Sequence, residues 1–439
     1  MLNSLRQIWK TPELRKKILY TLGMLVLFRL LSVVWAPGLD RNAVSLYTSS
    51  GGLLDLVNMM TGNAMSEGTI MAMGISPYIN ASIIMQLLCI AVPALERLQN
   101  DETGAGREKI NRITRYVTVA LAAVQAIGIM MSLGFVKAGF INWLLCGLSM
   151  AAGTALAMWI GERITDKGVG NGISLLIFVG IMSNLFNGVV RAFQAGSGAT
   201  YTGYASGWVT LAVIVVTSVL MTVVVTFVEL AERRIPLQIA KQTKGRRVYG
   251  GQNTRLTLKV VSVGVMPLIF AYAFLSFPGT IAQMFTKVDP MTGQAPAGSF
   301  LAWWNTYMSQ GGSGIWCFLI VSALLIMAFT YFYSSISFDP AKQAEQLIMQ
   351  GATIPGQRGK NIRNYLQTVV SRLNLFAALF LAVLSAIPTL LMHLMHVSIP
   401  FAASSILIAV SVALETIRTI QGEMSIRGID MDIEKGGFM

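Results

Sequence analysis

Residues 74–81 read GISPYINA, and residues 264–271 read GVMPLIFA. Gly74 and Gly264, Pro77 and Pro267, Ile79 and Ile269, and Ala81 and Ala271 stand at the same offsets. A second, weaker pair joins ISLLIFV at 173–179 to SSILIAV at 404–410. It matches Ser174/Ser405, Leu176/Leu407, Ile177/Ile408 and Val179/Val410. Chance matching of apolar residues explains either pair taken alone. The meaning of the two together depends on how often the chain crosses a membrane between their members.

Composition establishes that it crosses at all. The chain has 439 residues, 54% hydrophobic and only 12% charged, with a mean hydropathy of +0.62. An ordinary soluble domain is about a quarter charged. A water-soluble protein of this composition would expose large apolar patches. A soluble enzyme and a disordered chain are both excluded, and the bilayer is the solvent to reason with. The three cysteines, Cys89, Cys146 and Cys317, each lie in an apolar run and read as buried thiols, not a disulfide framework. The N-terminus is basic and amphipathic. No small-residue cleavage site follows its first apolar run, so a removable signal peptide is not expected.

A helix spans the hydrocarbon core in about 20 apolar residues. Ten segments qualify: 18–36, 76–95, 114–134, 142–162, 171–193, 207–229, 259–285, 314–335, 372–392 and 401–420. With a cytoplasmic N-terminus, 28 of the 33 Lys and Arg fall in cytoplasmic segments or at the span ends beside them. Four lie in outer loops (Arg41, Lys137, Arg191 and Lys287), and Arg29 lies within the first span. This asymmetry predicts that both termini are cytoplasmic, and it makes the net charge of +13 chiefly a matter of topology. Segment 51–62, GGLLDLVNMMTG, is apolar but too short to span, and reads as an interfacial or re-entrant helix.

The repeat now acquires its meaning. Spans 2 and 5 pair with spans 7 and 10, five crossings on in each case. An odd offset places the two halves in opposite orientations, as in transporters with inverted repeats. Two pairs at one offset argue against chance. The expected fold class is an all-α polytopic membrane protein, with ten transmembrane helices in two inverted five-helix repeats. The halves are residues 1–200, carrying spans 1–5, and residues 201–439, carrying spans 6–10 and the basic loops 230–258 and 336–371.

The pathway between repeats usually lies near the midplane. Coupled carriers line it with buried ionisable groups, and this chain is poor in them. Glu162, Glu229 and Glu415 fall near cytoplasmic span ends, where headgroups or a nearby Arg account for them, and Arg29 is expected to snorkel or pair locally. His393 and His396 are spaced i, i+3, but without a third ligand they do not make a metal site. No nucleotide loop, hydrolase elbow or metalloprotease motif is present, so no catalytic residue, cofactor or metal is expected. The repeat carries isoleucines instead. Ile79 and Ile83 share one face of span 2, Ile173 and Ile177 share one face of span 5, and Ile269 and Ile408 occupy matching places in the second half. If these helices converge, the six isoleucines form an apolar constriction that resists wetting. For any one of them alone, lipid contact or helix packing is the simpler explanation.

At this point the sequence resembles the SecY family, the central subunit of the bacterial protein-conducting channel. GISPYINASIIMQLL at 74–88 is similar to the family's second-span signature, and ITDKGVGNGISLLIF at 164–178 to the entrance of its fifth span. RRIPLQIAK at 233–241 with GRRVYGGQ at 245–252 resembles its sixth-to-seventh-span loop. FDPAKQAEQL at 338–347 and IPGQR at 354–358 resemble its eighth-to-ninth-span loop. Four stretches in order at the right spans are highly specific.

The resemblance implies a non-enzymatic channel for unfolded secretory polypeptides, which also releases membrane helices sideways into the bacterial plasma membrane. It implies that the six isoleucines are the pore ring. It implies a plug at residues 53–61, namely Leu53, Leu54, Asp55, Leu56, Val57, Asn58, Met59, Met60 and Thr61. Spans 2 and 7 would form a lateral gate bearing Ser82 and Gln86, and Arg246, Arg247 and Arg358 would dock a ribosome or motor ATPase. Implied partners are the small membrane subunits SecE and SecG, the SecA motor ATPase, the ribosome, signal peptides and nascent polypeptides, and the lipid bilayer. The chain departs from the family in three places. Val261 stands where span 7 usually begins with Asn, which removes a polar gate residue and implies a different hydrophobicity threshold for opening. Ala402-Ala403-Ser404-Ser405 replaces the usual Gly-Gly-Thr-Ser, and Gly359-Lys360 follows Arg358 where Pro is usual. A small-solute transporter would need a clustered polar site at the midplane, and none is found. A membrane scaffold would explain the hydropathy but neither the repeat nor the loop motifs.

Overall fold

The computed structural model describes residues 11–40, 62, 64, 67–99, 105–132, 136–137, 139–183, 207–239, 242–244, 247–249, 253–264, 266–286, 296, 298–308, 314–355, 360–395 and 403–425. The first half contains α1 (Pro12–Leu31), α2 (Ser76–Ala91), α3 (Pro93–Gln99), α4 (Ala105–Ser132), α5 (Phe140–Lys167) and α6 (Gly172–Ser183). The second half opens with α7 (Gly207–Leu230), followed by strands β1 (Glu232–Ile239), β2 (Gln242–Lys244), β3 (Arg247–Tyr249) and β4 (Asn253–Lys259). Then come α8 (Met266–Phe285), α9 (Phe300–Tyr307), α10 (Ile315–Ser337), α11 (Pro340–Met349), β5 (Ala352–Thr353), α12 (Lys360–Met395) and α13 (Ala403–Ser425). A described helix thus occupies each of the ten expected spans. Five regions are long and apolar enough to cross a membrane by themselves, and the bent pair α2–α3 makes a sixth.

The apolar face of these helices points outward. On α7, Val216, Val219, Leu220, Val223 and Phe227 follow helical spacing and are all more than half exposed. Lipid is the environment that suits such a face. Hydroxyls in the spans bond their own helix: Thr118 donates to the Thr114 carbonyl at 2.7 Å and Thr330 to the Ile326 carbonyl at 2.7 Å. With no water available, that is how a hydroxyl is satisfied inside a bilayer.

The repeat is visible in the backbone. Gly74 and Gly264 both adopt left-handed φ angles, of 51° and 63°, just before α2 and α8. Each amide donates to the carbonyl three residues back, Gly74 to Met71 at 2.8 Å and Gly264 to Val261 at 3.4 Å. Pro77 and Pro267 follow in the first helical turn, where a missing N–H is harmless. Packing repeats too. In the first half α2 packs on α4 and α4 on α5; five spans on, α8 packs on α10 and α10 on α12. The halves meet where α2 and α4 contact α8, and one apolar cluster runs through both.

Several span boundaries depart from the hydropathy reading, α4 and α12 by starting nine and twelve residues before 114 and 372, and three others with a visible cause. Span 1 was expected over 18–36, but α1 starts earlier, with Pro12 at its first position, and ends at Leu31. The remaining apolar residues pair with the chain before α2, through Ala36 N–H to the Gly68 carbonyl at 3.1 Å and Ile70 N–H to the Val34 carbonyl at 2.9 Å. Span 2 was expected over 76–95, but the helix stops at Ala91. Val92 is extended, with φ −111° and ψ 110°, and α3 leaves at 107°. Pro93 disfavours the helical conformation in the residue before it. Span 7 was expected from 259, but β4 runs to Lys259 and α8 begins only at Met266.

The two basic loops are built together. β1 pairs antiparallel with β4 from Glu232↔Lys259 to Gln238↔Asn253, and its far end pairs with β5 at Gln238↔Thr353 and Ile239↔Ala352. Ile235 and Leu237 point inward, while Arg233, Arg234, Pro236 and Gln238 face out, the alternation of a half-buried strand. Beneath them Leu258, Ala344, Leu347, Ile362 and Leu366 close a small core of their own. Asp339 caps α11 by accepting from the Ala341 amide at 2.9 Å. The membrane part is all helix, and the sheet belongs to the loops.

Candidate functional site

The six isoleucines all belong to, or pack against, one apolar cluster that both halves of the chain build. Ile79 and Ile83 of α2, Ile177 of α6, Ile269 of α8 and Ile408 of α13 belong to one buried cluster, and Ile173 of α6 packs against it. The five are no more than 9% exposed. Ile173 lies at the edge, where its Cγ1 would come within 3.1 Å of a Cβ placed on Gly161 of α5. The two segments of the first half and the two of the second therefore contribute to one apolar centre. Full burial of an aliphatic side chain is worth about 1.5–3 kcal/mol. The six side chains therefore help hold the two halves together and carry no polar group of their own.

The two helices expected to form a gate, α2 and α8, pack against each other. Ser82 and Gln86 share a face of α2, and Gln86 Nε2 donates to Ser82 Oγ at 3.2 Å. Gln86 Oε1 accepts from the Tyr333 hydroxyl of α10. Val261 is buried in the turn before α8 and does not lie within that helix. In the repeat it corresponds to Met71, since each carbonyl receives its glycine amide. The sequence reading missed Tyr333. A phenol inside the apolar run of span 8 was the available signal, because a buried tyrosine hydroxyl needs a partner.

Arg29 behaves otherwise than expected. It neither snorkels nor pairs locally. Its Nη2 donates to the Val179 carbonyl of α6 at 2.7 Å, and its Nη1 to the Gly62 carbonyl at 3.5 Å. Of the acidic span ends, Glu162 finds an arginine, while the carboxylate of Glu229 finds a hydroxyl. Arg115 meets Glu162 at 2.7 Å. Glu229 accepts from Ser411 Oγ at 3.1 Å, and Arg418 donates to its carbonyl at 3.3 Å. Among the described residues no group of three or more His, Cys, Asp or Glu comes together to hold a metal. The expected plug, 53–61, and Arg246 and Arg358 lie outside the described residues. Arg247 opens β3, opposite Lys244.

This geometry can be set beside known proteins. The SecY family model matches residues 69–417. The protein translocase subunit SecY of Streptomyces scabiei is 35% identical over 98% of this chain and 99% of that one. This chain belongs to the SecY family. The SecY of Aquifex aeolicus is 37% identical over 95% of this SecY-family chain and 96% of its own length. Among solved structures, a protein-conducting channel superposes with a TM-score of 0.69 at 17% identity, covering 93% of this chain and 92% of that one. Sec61 in a canine ribosome-channel complex superposes with a TM-score of 0.65 at 16% identity, covering 93% and 92%. These last two likenesses speak for the SecY fold alone. The isoleucine cluster, the α2–α8 contact and the sheet of the basic loops belong to this chain's own structure.

Proposed function

We propose that this chain is the central membrane subunit of a protein translocase, a channel that passes unfolded secretory polypeptides across a bilayer and releases apolar helices sideways into it. The observation that supports this reading best is that Ile79, Ile83, Ile177, Ile269 and Ile408, with Ile173 packed against them, share one apolar cluster built by both halves of the chain. Branched aliphatic side chains tolerate any sequence, and a dry ring blocks ions while a chain is threaded through it. The halves 1–200 and 201–439 part along α2 and α8 to admit a signal peptide past Ser82 and Gln86. Residues 53–61 seal the resting ring as a plug. Driving energy comes from outside, through SecA or a ribosome docked on Arg246, Arg247 and Arg358, and SecE and SecG complete the assembly. The loop charges support cytoplasmic termini in a bacterial plasma membrane.

A photo-crosslinking residue placed at Ile83 or Ile408, with a secretory chain stalled in transit, tests the reading. Crosslinks to the middle of the stalled chain are expected from both positions. Their absence from both, with chains demonstrably engaged, would remove the ring from the pathway.

A further inference from the structure

One side chain touches both helices of the proposed gate while belonging to neither. Tyr333 of α10 donates its hydroxyl proton to Gln86 of α2. Its ring lies flat on Phe270 of α8, with centroids 4.7 Å apart and planes 6° apart. The two attachments differ in strength. On the α8 side, Phe270 also faces Phe329 at 6.5 Å, and Phe274 meets Phe329 edge-on at 6.0 Å. Several aromatic pairs thus stitch α10 to α8. Toward α2 the connection is a hydrogen bond between two side-chain tips, the weaker of the two. When α2 and α8 separate, α10 stays with α8, and the Tyr333–Gln86 bond is what breaks.

We propose that Tyr333 is a latch, a positioning residue that holds the lateral gate shut through Gln86 and helps set how hydrophobic a segment must be to open it. This inference rests on the reading of α2 and α8 as the gate. Val261 fits the same picture. Span 7 begins here with an aliphatic residue, so the polar hold on α2 comes from α10. With cytoplasmic termini, α2 and α10 both run inward, and the bond lies within about two helical turns of their cytoplasmic ends. That is where a segment arriving from the cytoplasm first meets the gate. In apolar surroundings a broken bond leaves two unsatisfied groups. A weakly apolar segment does not offset that cost, and a strongly apolar one does.

Tyr333→Phe keeps the ring and its stack and removes only the hydroxyl. Gln86→Leu removes the acceptor from the other side. In cells that depend on this chain, export is measured for a reporter carrying either an intact signal peptide or one with a shortened apolar core. The ratio of shortened to intact export is expected to rise roughly three- to tenfold in Tyr333→Phe, the effect of one lost hydrogen bond. It should rise similarly in Gln86→Leu, and no further in the double variant, because the two groups form one interaction. An unchanged ratio in Tyr333→Phe at normal protein level overturns the latch, and so do independent, additive effects. Failure of the unmodified chain to export the intact reporter would instead overturn the channel reading. Export without crosslinking of the signal peptide to a photo-probe at Ser82 would overturn the gate.

Discussion

Ile408 shows what one residue contributes. It is 5% exposed and sits in the cluster that joins the two halves. Ile408→Asn removes about 1.5–3 kcal/mol of burial from the closed state and gives water a foothold in a dry constriction. Resting ion conductance in planar bilayers is therefore expected to rise, by roughly ten- to a hundredfold. Unchanged conductance would place Ile408 outside the seal. Gly264 illustrates a different cost. An added Cβ would meet nothing within 4 Å, yet φ is +63°. The penalty of Gly264→Ala is thus conformational, about 1–2 kcal/mol, and appears as a lower melting temperature of the purified protein. Four of the isoleucines stand out in the sequence because the repeat aligns them, and Ile83 and Ile173 because each lies one turn from an aligned one. Tyr333 does not, because its partner Gln86 lies 247 residues away.

At the scale of elements, a described helix lies in every segment that hydropathy marked, but the ends differ. Hydropathy records where lipid touches the chain. Helix ends follow backbone chemistry instead, as Pro93 shows by stopping α2 inside an apolar run. The basic loops carried no strand expectation, because β5 pairs with β1 across more than a hundred residues and such pairing leaves little local trace. The segment 53–61 is an element proposed from resemblance and from its length. Deleting it is expected to raise resting ion leak in single-channel recordings while export largely continues, since the isoleucine ring still closes around a translocating chain. Equal conductance with and without the segment would deny it the role of plug.

At the scale of the whole molecule, helices from both halves of the chain share one apolar cluster, and the basic loops close a small core of their own. In the proposed mechanism driving force would enter through those loops, which carry the arginines assigned to docking. Arg358→Glu is expected to impair ATPase-driven export from vesicles several-fold. Reversal of one such charge is expected to leave the fold intact, since single exposed charges contribute little to stability. Normal export by that variant would reduce the arginine to a topological charge.

The sequence by itself determined that the solvent is a bilayer, that the chain folds as a set of apolar helices, and that a Gly-Pro motif recurs with isoleucines at matching places. Each of these is set by local hydropathy, or by a motif that the chain carries twice. Only the tertiary structure decided that Arg29 reaches the Val179 carbonyl of α6, that Tyr333 ties α2 to α10, and that two distant loops share one sheet. The physical reason is common to all three. Inside a bilayer every buried polar group must find a partner, but which partner it finds depends on how the helices pack, and helix packing leaves no periodic mark on a sequence that is apolar on nearly every face.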